Sequence, residues 1–271
     1  MDHPGAVSAL GEAFFLPDGE RFIATPHTRG PWSPDLQHAG PPSALLARAI
    51  ERAVADDPAL AVTRLTVELL APIPIATFEI QTSVLRAGRK VRRIDAMLTT
   101  QDRAIARATG LAIRKGGGEV PPPPAPSARP EAPDRGESYM FPVVIASPVG
   151  YATAMEVRRV AGATQEGGTA AWLRTRVALV AGEAPSPLQR VMIAADSGNG
   201  VAVPADPRRF TFVNADLTVA LYRALEGEWV CLDAATARDP SGIGLTETRL
   251  WDLRGPIGRA LQTLVIEPRS P

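Results

Sequence analysis

The chain contains a carboxylate and an amide whose positions suit the activation of water. Asp196 ends the apolar run at residues 191–195, where a carboxylate is costly unless it is hydrogen-bonded or solvated. At the rim of an apolar cleft such a group suits a general base. Gln262 interrupts the alternating pattern ALQTLVI, and its amide can donate to an oxygen or accept from water. Each also has a structural interpretation: Asp196 could close a helix and Gln262 could make a cross-strand hydrogen bond.

Residues before the first helix and beside Asp196 give weaker signals of a binding cleft. His38 and Gly40 lie in the turn HAGPP, from which both could line a substrate site, although a histidine in such a loop more often caps a helix or faces solvent. Ser197 and Gly198 follow Asp196 in DSGNG, whose backbone could bind the phosphates of a ligand as a nest or could form a plain turn. Because Ser197 is not in a G-x-S-x-G motif, a serine nucleophile is disfavoured.

The histidine and cysteine content excludes several other kinds of site. Three histidines and one cysteine are too few for a convincing zinc site, and the single Cys231 excludes an internal disulfide. A small buried hydrophobe is the default interpretation of this cysteine. We therefore expect no metal and no cofactor.

Composition and charge predict a folded protein that binds neither nucleic acid nor membrane. The 271 residues are 45% apolar and 21% charged, within the range of ordinary globular proteins. Basic and acidic side chains balance at 29 each, so the positive patch of a nucleic-acid or anionic-membrane binder is not expected. Neither a secretion signal nor a long apolar span is recognisable, which predicts a cytoplasmic location.

The elements that must position these residues follow one order in both halves of the chain. Helical spacing predicts a helix at residues 43–54 and a second at 186–200. Period-two alternation and turn signals predict antiparallel strands in both halves. In the first half these lie at residues 13–26, 65–73, 76–101 and 104–115; in the second they lie at 151–160, 171–180, 210–223, 228–238, 244–253 and 258–269. Each half is therefore predicted to be an α+β unit with one central helix.

A segment rich in glycine and proline separates the two halves. Residues 116–133 read GGGEVPPPPAPSARPEAP, in which almost nothing can be buried, so an extended and partly polyproline II connector is expected. This divides the chain into an N-terminal unit at residues 1–115, a linker at 116–135 and a C-terminal unit at 136–271.

The halves also resemble each other after a shift of 152 residues. The shift aligns the tripeptide LTV at residues 65–67 with LTV at 217–219, and residues 103–113 with 255–266. It places Ala44 opposite Asp196 and Gly110 opposite Gln262. On this alignment only the second half carries both polar groups, and the first half is expected to complete an apolar channel.

The order of elements and several segments resemble a known family. A helix after a glycine-containing turn, followed by a strand meander and then duplicated, resembles the hotdog fold in its double hotdog form. The chain is most similar to the acyl-CoA thioesterase II (TesB-like) family, especially its actinobacterial-type members. The resemblance is carried by HAGPPSALLARAIERA in the first half and by NADLTVALYR, EWVCLDA, GIGLTETRL and GRALQTLVIE in the second.

This resemblance implies hydrolysis of a fatty acyl-CoA thioester to free acid and CoA without a covalent acyl-enzyme. A carboxylate, a hydroxyl residue and a glutamine hold and activate the attacking water in that family. The carboxylate matches Asp196 and the glutamine matches Gln262. The hydroxyl position falls on Asn214, with Thr218 the nearest hydroxyl along the strand. Asparagine can still donate a hydrogen bond to water or to the carboxylate, although not through a hydroxyl.

Two other functions remain open on the sequence. A duplicated hotdog protein could bind an acyl thioester without hydrolysing it, an alternative motivated by Asn214. A hotdog enoyl-thioester hydratase or dehydratase is the other alternative, although the Asp/His pairing that such an enzyme would use is not visible near the helix. Acyl-CoA is the expected small-molecule partner in each case, and sheet edges that pair between subunits predict a homo-oligomer.

Overall fold

Two helices pack against each other and against a large sheet in the computed structural model, which describes residues 12–269 except 117, 119, 122, 123, 125, 127 and 142–146. The helices are α1 (Gly40–Ala53), α2 (Tyr151–Ala154), α3 (Pro187–Ala195) and α4 (Gly198–Val201). The strands are β1 (Ala13–Asp18), β2 (Arg21–Ala24), β3 (Leu60–Leu69), β4 (Thr77–Ala87), β5 (Val91–Thr100), β6 (Arg103–Arg114), β7 (Glu137–Ser138), β8 (Met155–Val160), β9 (Thr169–Thr175), β10 (Ala178–Val180), β11 (Phe210–Asn214), β12 (Asp216–Leu221), β13 (Val230–Arg238), β14 (Ile243–Asp252) and β15 (Gly255–Pro268). None of the described helices is long and apolar enough to cross a bilayer.

The two central helices form where the apolar spacing predicts them. Helix α1 has prolines in its first turn, which suit that position because its amide groups have no intrahelical acceptor. Helix α3 begins at the N-cap Ser186, whose hydroxyl accepts from the amide of Gln189 in a capping box. The predicted helix at residues 186–200 is not continuous, since α3 and α4 are separated by Asp196 and Ser197. This break is where the candidate site lies.

The sheet runs continuously from one half of the chain to the other. Its strand order is β10-β1-β2-β4-β5-β6-β3-β12-β15-β14-β13-β9-β8-β7, with β11 also paired to β15. The halves meet where β3 pairs with β12, and Thr66 faces Thr218 at this junction. They also meet where β1 pairs in parallel with β10, a contact that the sequence analysis did not predict.

The strand registers of the two halves follow the shift of 152 residues. Val67 faces Ala108 between β3 and β6, while Val219 faces Ala260 between β12 and β15. Each residue of the second pair lies 152 positions after its counterpart in the first. The alignment of strands that the repeat predicts is therefore confirmed.

The helices do not follow that shift. Helix α1 begins at residue 40 and α3 at residue 187, which is 147 positions later. Ala44 lies inside α1 and is fully buried, whereas Asp196 follows the end of α3. The prediction that Ala44 is the counterpart of Asp196 is wrong, because a helix can slide along its axis while the strands around it keep their register.

Other local predictions need correction, among them the run at residues 171–180, which is the two strands β9 and β10. The run at residues 210–223 is two strands, β11 and β12, separated at Ala215, and the run at 151–160 begins as the short helix α2. The linker is also less exposed than its composition suggests. Pro130 is buried, and Trp172 Nε1 donates to the carbonyl oxygen of Glu131 at 2.7 Å. This end of the linker therefore packs on the second half, while several of its residues lie outside the described part of the chain.

Candidate active site

Asp196 lies at the break between α3 and α4 and is almost fully buried, with 3% of its surface exposed. Its Oδ1 atom accepts from Asn214 Nδ2 at 2.9 Å and from Gln262 Nε2 at 3.4 Å. Its Oδ2 atom lies 2.9 Å from His38 Nδ1. These three side chains come from three separate parts of the chain, so the fold gives a buried carboxylate the polar partners that it requires.

Gln262 holds the helix break in place. Its Nε2 atom donates to the carbonyl oxygen of Asp196 at 2.9 Å, and its Oε1 atom accepts from the amide of Asn199 at 3.1 Å. The side chain is only 1% exposed. Both ends of this amide therefore bind the residues at the helix break, and neither the expected contact to substrate or water nor the alternative cross-strand hydrogen bond is what occupies them.

Asn214 connects β11 to Asp196. Besides Asp196, its Nδ2 atom donates to the carbonyl oxygen of Asp216 at 3.1 Å. Because both amide hydrogens have acceptors, the side chain has one defined orientation. The sequence analysis allowed Asn214 to donate to the carboxylate, and the structure has this hydrogen bond.

His38 packs between Asp196 and a tyrosine. Its ring stacks on Tyr151 with 3.6 Å between ring centroids and 6° between ring planes. The backbone N–H of Gly40 donates to the same Nδ1 atom at 3.1 Å. A proton on Nδ1 replaces this bond with one donated to the Asp196 carboxylate, and in that tautomer Nε2 is free to accept a proton. Among the described residues, no hydrogen-bond partner of Nε2 is found.

Tyr151 connects His38 to helix α3. Its hydroxyl donates to the carbonyl oxygen of Ile193 at 2.7 Å and lies 2.8 Å from Ser197 Oγ. Burial raises the pKa of the Tyr151 hydroxyl well above its usual range, which keeps the group protonated. Tyr151 thus fixes the plane of the His38 ring through stacking.

The His38 side chain borders two cavities. The tyrosine cavity, about 410 Å³, is lined mainly by Tyr151, Ser197, Met140, Phe141 and Arg29. The asparagine cavity, about 450 Å³, is lined by Asp196, Asn199 and Asn214 together with an apolar wall that includes Trp32, Leu69 and Val265. A pair of polar groups between two largely apolar cavities is the arrangement expected of a binding site for an elongated ligand.

The remaining predicted residues are divided between this site and its surroundings. Ser197 lines the tyrosine cavity. Gly198 packs on Thr248 and Gln262, where a Cβ atom would lie 2.6 Å from Thr248 Oγ1. Gly40 lies at the contact of the helices, where a Cβ atom would be 2.5 Å from the carbonyl oxygen of Ile193. Neither glycine lines either cavity, so both act in close packing of the backbone.

Thr218 is not brought to Asp196. Its hydroxyl donates to Thr66 Oγ1 at 3.2 Å across the β3–β12 junction. Within the described residues, Thr218 makes no hydrogen bond to Asp196, so the expectation that it supplies a third support for the site has no contact to rest on.

Sequence reasoning missed the pairing of His38 with Asp196 and the presence of Tyr151 and Asn199. The two members of the pair are 158 residues apart and meet only because α1 packs on α3. The one available signal was the position of His38, a histidine just before a predicted helix. Among the described residues, no group of three His, Cys, Asp or Glu side chains is arranged to hold a metal.

Comparison with solved structures identifies the fold. A protein from Thermobifida fusca YX, provisionally assigned as a thioesterase II, superposes with a TM-score of 0.71 at 18% identity over 96% of each chain. A protein of unknown function with a hot dog fold from Alicyclobacillus acidocaldarius has a TM-score of 0.67 at 17% identity over 100% of each chain. An acyl-CoA thioesterase II from Mycobacterium marinum has a TM-score of 0.66 at 14% identity, covering 93% of this chain and 95% of its own. The α+β chain therefore has a hotdog-type fold.

Family models identify the chain more specifically than these distant structures. No curated protein sequence shows significant similarity to it. The model of the acyl-CoA thioesterase N-terminal domain matches residues 28–113. The model of the acyl-CoA thioesterase C-terminal domain matches residues 119–266, which is more than half of the chain. With this match across both halves, the chain belongs to the acyl-CoA thioesterase family and is a thioester hydrolase.

Proposed function

We propose that the protein hydrolyses a fatty or related acyl-CoA thioester with water activated at the pair His38–Asp196. The contact of 2.9 Å between His38 Nδ1 and Asp196 Oδ2, at the boundary of two cavities, is the observation that supports this most directly. Water oxygen attacks the carbonyl carbon, the carbon–sulfur bond breaks, and the CoA thiolate takes up a proton. The products are the free acid and CoA, and no covalent acyl-enzyme forms.

In this mechanism His38 accepts the proton of water and Asp196 orients His38. Both carboxylate oxygens of Asp196 already have protein donors, whereas Nε2 of His38 has none among the described residues. A carboxylate on Nδ1 fixes the ring tautomer and stabilises the imidazolium that forms when Nε2 is protonated. This changes the role expected for Asp196 from the base itself to the group that makes His38 a base.

Gln262 and Asn214 support the pair by holding its carboxylate. Their amide hydrogens hold Asp196 Oδ1, so that the second oxygen is directed at His38. An asparagine can do this as well as a hydroxyl residue, because the carboxylate requires a donor and the amide provides one. The departure from the family pattern at Asn214 is therefore compatible with turnover.

The two cavities would divide the substrate between them. One takes the acyl chain and the other the pantetheine arm, which places the thioester beside His38. Asn199 lines the asparagine cavity next to Asp196, and we assign its side-chain amide as a donor to the thioester carbonyl oxygen. Such a donor stabilises the negative charge that develops on this oxygen during attack.

The architecture that we propose is a double hotdog. Residues 1–115 and 136–271 form tandem units joined by the linker at 116–135. The equal registers of β3–β6 and β12–β15 after a shift of 152 residues support this division. That the chain assembles as a homo-oligomer stays a prediction, which sedimentation of the purified protein would test.

The test of this function is thiol release from short, medium, long and aromatic acyl-CoAs, compared between the wild type and Asp196→Asn. We expect Asp196→Asn to lower kcat by at least about 100-fold. Asp102→Asn is the matched control, since Asp102 is an exposed carboxylate in the β5–β6 turn and undergoes the same chemical change. Binding of acyl-CoA without release by the wild type would contradict hydrolysis and favour a non-catalytic binding protein.

The pair His38–Asp196 also supports a second candidate, an enoyl-thioester hydratase or dehydratase. This alternative uses an Asp/His pair to add water to a carbon–carbon double bond, and the structure contains such a pair. Incubation with a 2-enoyl-CoA separates the two functions. Loss of the enoyl absorbance without thiol release would support hydration, whereas thiol release with the double bond retained would support hydrolysis.

A further inference from the structure

A third cavity lies at the opposite ends of the two central helices. We name it the glutamate cavity, since it contains Glu51 near the C-terminal end of α1. Its volume is about 520 Å³. It is lined by the last turn of α1, the first residues of β3, the last residues of β6, the start of α3 and the residues that end β12.

The glutamate cavity is built from the counterparts of the asparagine cavity. Residues 61–63 and 113 line the first, and residues 213–215 and 265 line the second, each 152 positions later. The relation also holds in the other direction, because residues 221–224 line the glutamate cavity and residues 69–72 line the asparagine cavity. The chain therefore has two cavities related by the exchange of its halves.

The helix residues of the two cavities correspond as well. Glu51 and Asp196 are 145 positions apart, as are Val54 and Asn199, and all four line their respective cavities. Each carboxylate also bonds the residues that begin the opposite helix. Asp196 contacts His38 before α1, and Glu51 accepts from the N-cap Ser186 of α3 at 2.8 Å. The first half thus does carry a counterpart of Asp196, which the alignment with Ala44 concealed.

The chemistry of the glutamate cavity differs from that of the active site. Val62 stands where the other cavity has Asn214, and Gly110 corresponds to Gln262. Glu51 is held instead by Ser186 and by Gln189 Nε2 at 2.8 Å. Burial raises the pKa of the Glu51 carboxyl group. With no described histidine beside this carboxyl and both supporting amides replaced, the cavity is suited to binding and not to hydrolysis.

Charge and apolar surface indicate which ligand fits. Val54, Leu60, Val62, Leu188 and Leu221 line the cavity, together with three cations. Arg114 is paired with Asp57 and Arg223 with Asp252. Lys115 is exposed and forms no ion pair with another described residue. Besides these ion pairs the cavity holds the Glu51 carboxyl group, which Ser186 and Gln189 bind, and the exposed Lys115. An apolar wall beside a cation outside any described ion pair is complementary to an apolar chain that ends in an anion.

We propose that the glutamate cavity is a second, non-catalytic site for an acyl chain carrying an anionic group, with Lys115 pairing with that group. Two sources share this chemistry, the acyl-CoA substrate and the free fatty acid. The site is separate from the pair His38–Asp196, so its existence does not depend on the proposed hydrolysis.

The test measures binding of dodecanoate to the whole chain by isothermal titration, and binding of dodecanoyl-CoA to the same chain carrying Asp196→Asn. Lys115→Glu should weaken the binding of at least one of these ligands by about fivefold or more, because the substitution replaces an attraction to the anionic group with a repulsion. Lys90→Glu is the matched control, since Lys90 is the other lysine of the chain, is exposed and does not line the cavity. It should bind both ligands as the parent protein does.

A second variant tests the apolar part of the site. Ala55 is exposed and lines the cavity, so Ala55→Trp should fill it and remove the Lys115-dependent binding, whereas Ala55→Ser should retain that binding. If Lys115→Glu weakens the binding of dodecanoate alone, the free acid is the ligand of this cavity. If it weakens the binding of dodecanoyl-CoA, the thioester is a ligand. Binding of both ligands that is insensitive to Lys115→Glu and to Ala55→Trp would overturn the proposal.

Thiol release measured in parallel keeps the two proposals apart. Failure of the wild type to release CoA would contradict the proposed function and leave the binding result intact. Normal release together with binding that is insensitive to Lys115→Glu and to Ala55→Trp would contradict the second site alone.

Discussion

Thr66 and Thr218 face each other across the junction of the two halves, with their hydroxyl oxygens 3.2 Å apart. They are 152 residues apart in the chain, which is also the shift that relates the strands of the halves. The flanking residues Leu65 and Val67 are fully buried, as are Leu217 and Val219. The tripeptide that carries the sequence repeat therefore lies at one junction of the two halves, and each copy packs beside the other.

The role assigned to His38 predicts a large loss of activity without a change of fold. His38→Gln should lower kcat by about 100-fold or more, because glutamine can hydrogen-bond to Asp196 but cannot accept a proton from water at neutral pH. Thiol release from the best acyl-CoA measures this effect. His27→Gln is the control, since His27 lines neither cavity at the site. Activity of His38→Gln near that of the wild type would remove His38 from the mechanism.

Asn214 tests whether the family position tolerates either kind of donor. Asn214→Thr restores a hydroxyl on β11, a strand position that a β-branched residue favours. We expect kcat to be retained or to rise, because the hydroxyl can replace the amide as the donor to Asp196 Oδ1. In Asn214→Val the valine has nearly the shape of threonine but no hydrogen-bond donor. Its kcat should therefore fall by about tenfold, which corresponds to an activation free energy higher by about 1.4 kcal/mol. Equal rates for the threonine and valine variants would contradict this role.

Gln262 should affect both stability and turnover. Gln262→Ala leaves the carbonyl oxygen of Asp196 and the amide of Asn199 without these buried partners. We expect a loss of about 1–3 kcal/mol in the free energy of unfolding. Because the helix break would also lose its anchor, kcat should fall while KM changes little. Denaturant unfolding and thiol release measure the two effects, and a variant that is less stable but equally fast would reduce Gln262 to a structural role.

The sequence predicted the strands of this protein better than its site. Alternation located β3 to β6 and β12 to β15, and the repeat of LTV predicted their relative register. Asp196 and Gln262 were found because a polar residue in an apolar run is unusual. Both were placed correctly in one cluster, since the strand position of Gln262 and the end of α3 face each other.

His38 was harder to find, because no local pattern connects it to Asp196. Their contact depends on how α1 slides along α3, and helix packing leaves no period in the sequence that fixes this offset. The same sliding explains why strand alignment paired Ala44 with Asp196, whereas Glu51 is the residue that lines the corresponding cavity. Sequence repeats therefore carried the register of the strands but not that of the helices.

Glu51 gives a pH dependence of stability with a defined sign. Burial raises the pKa of its carboxyl group in the folded state, so the folded protein holds this proton more tightly than the unfolded chain does. The resulting contribution to the free energy of unfolding is fully present below the pKa of the unfolded chain, and it is lost as the pH rises through the raised pKa of the folded protein. Glu51→Gln has no ionisable group at this position. We therefore expect the free energy of unfolding of the variant, relative to the wild type, to increase between pH 4 and pH 8, as measured by urea unfolding.

Glu20→Gln, at an exposed position, should show no such increase. A difference between Glu51→Gln and the wild type that is the same at every pH would mean that the hydrogen bonds from Ser186 and Gln189 balance the effect of burial, and one that decreases as the pH rises would mean that they outweigh it.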